Sequence, residues 1–264
     1  MPLWVYNMPP LLLALLMVVV IDLLSLVGLF LTRRFLLPHF HYHDGVNDAV
    51  SGTVQAIGVF YGITVGLIAV GVWNTNSNAA DLVSREAAAI GALYHDVGGY
   101  PSPLREELRQ KLKEYTLFVI NDAWPEQKQG RIGNVGSKML DDFQTKLYTF
   151  EPASPGSVAI HQEAVSAYNK LIESRRLRID AVGSGLSHLM WFVIWVGAVI
   201  SIGVAYLYRI EDVRIHSILV LLMSGFLAIV LFMIVINDKP FYGTVSISPE
   251  PYQLILDRVI NVTY

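Results

Sequence analysis

Residues 47–73 read NDAVSGTVQAIGVFYGITVGLIAVGVW, and this stretch decides what kind of protein the chain is. Its segment 53–73 is apolar and long enough to cross a hydrocarbon core, for which a helix needs about 20 residues. Gly58, Gly62 and Gly66 recur every fourth residue and so share one side of a helix. Gln55 and Ala69 lie on or near the same side. Glycine is a poor helix former, so a row of it inside a span calls for a reason. Two reasons fit, and the sequence leaves both open. Small residues let a neighbouring backbone come close, which makes the row a packing seam. The row can equally line a narrow pore that a bulky side chain would block.

Working outward, the chain has 264 residues, of which 53% are hydrophobic and only 16% charged. Soluble domains carry about 25% charged residues. The apolar residues gather in four blocks with most of the charge between them, which predicts an all-α integral membrane protein bearing a polar helical domain. A net charge of −3 gives no electrostatic reason to expect nucleic acid as a partner. The absence of cysteine excludes disulfides, thiol chemistry and cysteine-ligated zinc.

The first span is predicted over residues 11–32, the second over 53–73, the third over 186–208 and the fourth over 215–236. The start, MPLWVYNMPP, lacks the basic residues of a signal peptide, so the first span is expected to be retained. After Trp73 no strong breaker intervenes before Gly98-Gly99, and the second helix is expected to continue out of the membrane. Residues 74–185 form the polar domain. Ser102-Pro103 and Ser154-Pro155 both read as a capping serine followed by a first-turn proline. Trp124-Pro125 is expected to stop the first of these helices, and a shorter helix is expected over 138–150. From Val158 a long helix is predicted to run into the third span, interrupted only by Gly183 and Gly185. Residues 237–264 read as a tail packed on the helical domain, extended at first and then a short helix.

Asp22 sits inside the first span. An ionisable group at that depth needs a partner, and the favoured reading is a structural hydrogen bond to Ser25 or to a neighbouring helix, ahead of an ion-sensing role. His39, His41 and His43 alternate beside Asp44, but match no specific zinc spacing, so no metal is assigned. Lys170, Arg175, Arg176 and Arg178 are candidates for anionic lipid headgroups, or for pairing with Glu86 and Asp96. No nucleophile with a base, phosphate-cradling loop or other catalytic constellation stands out, so neither an enzyme nor a cofactor is expected.

Several stretches carry a resemblance. IGVFYGITVGLIAVGVW with EAAAIGALYHD, the Trp124-Pro125 pair, SRRLRIDAVGSGL before Met190-Trp191, and NDKPFYGTVSISPEPY together resemble a bacterial family described as bestrophin-like. Bestrophins are pentameric anion channels whose second transmembrane helix lines the pore. The resemblance therefore implies a ring-shaped homo-oligomer in the bacterial cytoplasmic membrane with an ion as its partner. It also implies a pore lined by Gln55, Gly58, Gly62, Gly66 and Ala69. Phe60 and Tyr61 are the nearest candidates for pore aromatics, and Ile57, Phe60 or Ile63 would supply a hydrophobic constriction. No acidic cluster resembling a calcium clasp is visible, so calcium gating is not implied.

Four spans put both termini and the helical domain on one side. The short loops carry Arg33, Arg34, Arg209 and Arg214, which by the positive-inside rule draws those loops inward. The resemblance instead implies cytosolic termini, and that placement is taken as the expectation. Two functions are expected from the whole: an oligomeric ion channel, or a non-conducting scaffold or sensor whose helical domain binds a partner protein.

Overall fold

A computed structural model describes residues 3–39 and 45–262. These residues form an all-α protein with four helices long and apolar enough to cross a membrane. In chain order the main helices are α1 (Pro10–Leu31), α2 (Val46–Asp96), α3 (Leu104–Phe118), α4 (Val135–Leu147), α5 (Pro155–Val182), α6 (His188–Ala205), α7 (Val213–Asn237) and α8 (Glu250–Ile255). The chain divides into two compact units. Residues Met1–Asn74 and Gly185–Asp238 form the membrane unit, and Thr75–Ser184 with Lys239–Tyr264 form the helical unit.

In the membrane unit α1 packs along α7. Val65, Ala69 and Val72 of α2 meet Ile194, Ala198 and Ile202 of α6 and Leu227, Leu231 and Ile234 of α7 in one core. Lipid tails are as apolar as these side chains, so close packing and hydrogen bonds must hold such helices together. Gly197 supplies one close approach: a Cβ there would collide with the ring of Tyr61, whose hydroxyl donates to the Ile194 carbonyl at 2.8 Å. The Asp238 carboxylate accepts from the Tyr6 hydroxyl at 2.9 Å and from the Leu186 amide at 2.6 Å, fixing the entrance to α6.

The helical unit has a larger core. Leu108, Leu112 and Tyr115 of α3 pack with Leu140, Phe143 and Leu147 of α4, Tyr168 and Leu171 of α5, and Ile90 and Leu93 of α2. Each set recurs at three- or four-residue spacing, the mark of a helix burying one stripe. The segment after α7 is stitched onto this unit. Trp124 donates its indole N–H to the Ile247 carbonyl at 3.1 Å, and Tyr94 donates to the Ile260 carbonyl at 3.2 Å.

The second helix runs unbroken from Val46 to Asp96 and closes in a 3-10 turn at Val97–Gly99, as the absence of a breaker predicts. Ser154 caps α5 in a capping box with Ser157. Three expectations need correction. Ser102 does not cap α3: Pro103 occupies the N-cap position and no side chain caps it. Trp124-Pro125 does not stop the helical run, which passes through a π turn at Val119–Ala123 into a further turn at Trp124–Gln127. Pro125 sits in the first turn of that piece, where its missing N–H costs nothing. The predicted long helix into the third span is two helices. The α5 helix ends at Val182, Lys239 Nζ donates to the Gly183 and Ser184 carbonyls at 3.3 and 2.8 Å, and Ser187 caps α6 by accepting from the Met190 amide.

Candidate functional site

In the membrane unit the α2 helix separates its residues by about 100° each, which sorts the predicted pore residues. Gly58, Gly62 and Gly66 are exposed, and a Cβ built on any of them would meet no atom within 4 Å. Gln55 is exposed on the same side and donates to the Ser51 hydroxyl at 3.2 Å. These four stay together as a bare face. Ala69 lies within about 20° of Gly62 by rotation, but at its level the helix is covered, and it is buried in the core with Val65 and Val72. The constriction candidates also separate from the glycines. Phe60 and Ile63 are exposed and Ile57 half-buried, but by helical rotation Phe60 lies about 160° from Gly62, Ile57 about 140° and Ile63 about 100°. Phe60 and Ile57 thus point away from the side that the glycines face. Tyr61, the other aromatic candidate, is turned onto Ile194 and Gly197.

Asp22 finds its partner on a neighbouring helix. The Ser224 hydroxyl of α7 donates to its carboxylate at 2.5 Å, while Ser25 donates instead to the Ile21 carbonyl. Gly225 leaves room beside the carboxylate. At the end of α1, Arg33 donates to the Ile210 carbonyl at 2.9 Å and to His216 Nδ1 at 3.1 Å, and His216 Nε2 faces the Ala205 carbonyl at 3.1 Å. The acceptor role of Nδ1 towards arginine leaves Nε2 as the donor. Asn47 exchanges two hydrogen bonds with the Arg209 backbone, so the α6–α7 loop is held from both sides. Sequence reasoning did not single out His216 or Asn47. His39 bonds the Phe35 carbonyl through its ring, and His41, His43 and Asp44 lie outside the described residues.

The helical unit holds a second constellation. Arg178 of α5 donates to Glu86 of α2 from Nε at 2.5 Å and to Gln127 from a terminal nitrogen at 2.6 Å. Tyr115 donates to the other Glu86 oxygen at 2.7 Å. The rings of Trp124 and Tyr252 stand 5.6 and 5.9 Å from the guanidinium carbon, within cation–π range. Burial pushes the Tyr115 and Tyr252 hydroxyls well above the ordinary phenol range, and the Glu86 charge pushes them further. Burial alone would lower the pKa of Arg178, but Glu86, Tyr252 and Tyr115 together outweigh it and hold the guanidinium charged. Arg178 is therefore committed inside the protein and leaves the lipid-facing set, because a carboxylate and two aromatic faces enclose it. Lys170 and Arg176 are exposed and Arg175 half-buried.

A sequence model of the family described as "Bestrophin-like domain" matches residues 19–252. The chain belongs to the bestrophin-like family. No curated protein and no solved structure matches it. Four of the stretches that carry this bestrophin-like resemblance are far apart in sequence, yet residues from each of them meet in the helical unit. EAAAIGALYHD brings Glu86, the Trp124-Pro125 pair brings the indole, SRRLRIDAVGSGL brings Arg178, and the tail stretch brings Tyr252 with Phe241, whose ring stacks edge-on to Trp124 at 5.8 Å.

Proposed function

We propose that this bestrophin-like protein is an ion channel in which several copies form a ring, with the α2 face of Gln55, Gly58, Gly62 and Gly66 turned to the axis and no catalytic step. The observation that carries the reading is the bareness of that face, which no other part of the chain covers among the described residues. Polar groups and open backbone gain little from lipid tails, which offer no hydrogen bonds. The exposed Gln55 amide, bonded to the half-buried Ser51 hydroxyl at one end of the row, favours water or a neighbouring protein there. One helix per subunit encloses a passage only when several subunits close a ring. Family membership supports the same reading. Ala69, Ile57, Phe60 and Ile63 have no part in the lining.

The test is recording from the purified chain in planar bilayers, alongside Gly62→Leu. The variant should assemble as the wild type does and lose its current. Current through a well-assembled Gly62→Leu oligomer would overturn the assignment. So would imaging that shows the glycine face packed on a neighbouring helix with no axial opening, which would make the protein a scaffold. We further propose cytosolic termini and a cytosolic helical unit. Because the chain has no cysteine, a single Gln129→Cys reports this cleanly: an impermeant thiol reagent should reach it only from the cytosolic side.

A further inference from the structure

We propose that the cleft beside Arg33, at the end of α1, binds the phosphate of an anionic phospholipid headgroup. The proposal stands apart from the pore reading. The cleft has a volume of about 430 Å³, room for a glycerophosphate group, and is bordered by Arg33, Leu37, Pro38, Tyr208, Arg209 and Glu211. Among the described residues that border it, two arginines stand beside one glutamate.

Its position follows from the chain. The α1 helix is apolar throughout except for Asp22 and Ser25, and Arg33 is the first basic residue beyond it, at the depth where phosphates lie. Arg33 is already fixed in place. Its terminal nitrogens bond the Ile210 and Glu211 carbonyls and His216 Nδ1, which uses three of its five N–H groups. Among the described residues no partner takes the other two. A guanidinium held in this way loses little freedom when it binds a planar array of oxygens, and arginine suits phosphate better than lysine does. The same π turn carries Phe35 and Leu36, both exposed, so an acyl chain has an apolar surface to follow directly beneath a headgroup. A free anion would gain nothing from that surface, which favours a lipid as the source of the phosphate.

The probe is phosphatidylglycerol, titrated against phosphatidylcholine on the detergent-purified full chain and read by native mass spectrometry as single lipid adducts. Wild type should retain phosphatidylglycerol preferentially. Arg209→Gln, a change at an exposed residue that keeps the backbone contacts to Asn47, should weaken that retention about fivefold. Arg214→Gln removes the same charge just outside the cleft and should change nothing. Equal retention of the two lipids would overturn the proposal, as would an equal loss in Arg214→Gln, which would mean diffuse surface charge. Excess inorganic phosphate should leave the adducts in place. Complete displacement by phosphate would assign the cleft to free anions instead.

Discussion

Arg178 and Glu86 form an ion pair from which water is excluded, with side chains 1% and 0% exposed and a 2.5 Å bond between them. Moving two charges out of water costs several kcal/mol each, and attraction repays this only when the remaining donors and acceptors are satisfied. Here they are met by Gln127, by Tyr115 and by the faces of Trp124 and Tyr252. Removing one partner strands the other. Arg178→Met should therefore destabilise the helical unit by about 3–5 kcal/mol, enough to abolish folded protein in detergent. Arg178→Lys should also fail to rescue it, because an ammonium cannot span Glu86 and Gln127 in a planar fork. Thermal unfolding by circular dichroism reads both. A stable, monodisperse Arg178→Met protein would mean that the pair is dispensable.

Tyr115 adds a pH dependence with a definite sign. Its hydroxyl donates to Glu86, and burial raises its folded pKa well above 10.0. A raised pKa contributes stability that is complete below the unfolded value and is lost as pH climbs above it. At pH 7, Tyr115→Phe should cost about 1.5–3 kcal/mol, the usual worth of a hydrogen bond to a charged group. Above pH 10 the wild type should lose about 1.4 kcal/mol per pH unit through this one group, and the variant should not. The gap between the two should narrow steadily between pH 10 and 12. A gap that stays constant would show that Tyr115 titrates alike in both states.

Much of this was legible in the sequence, and the part that was not has physical causes. Hydropathy alone locates α1 and α7, because a span must hide its backbone within one apolar helix. The continuity of α2 was legible because nothing between Val72 and Asp96 breaks a helix. The end of α5 is hidden because the lysine that holds the turn just after it, Lys239, lies 56 residues beyond Gly183. Pairing of Arg178 with Glu86 was one of two readings, and only the walls of Trp124 and Tyr252 decide it. The constriction candidates follow from apolarity alone, which carries no information on helical rotation: Phe60 lies about 160° from Gly62 on the same helix.

Asp22 and Ser224 test whether the intramembrane carboxylate is structural. The Ser224 hydroxyl donates to it at 2.5 Å. If the contact is a helix-to-helix anchor, Ser224→Ala should destabilise the membrane unit by about 1–2 kcal/mol, the scale of such bonds in model membrane peptides. Asp22→Asn, which still accepts a hydrogen bond, should cost less. Any conductance should keep its pH dependence in Asp22→Asn. A conductance whose pH dependence vanishes in that variant would restore the sensing role.

The last prediction concerns the junction of α2 and α6. Tyr61 lies where a Cβ on Gly197 would stand, and its hydroxyl is tied to the Ile194 carbonyl three residues away on the same helix. The ring cannot move aside without breaking that bond, so Gly197→Ala should behave as an overpacked core, at a cost of about 1–3 kcal/mol. The clash belongs to the ring and not to the backbone of α2, which makes the prediction separable from a general intolerance of α6 to substitution. Tyr61→Ala in the Gly197→Ala background should restore part of the lost stability, although Tyr61→Ala alone is destabilising. Thermal unfolding of the four proteins gives the coupling directly. Strictly additive effects would mean that ring and glycine do not meet. This junction also holds the packed side of α2 in place, so the double variant asks how firmly the glycine face is oriented.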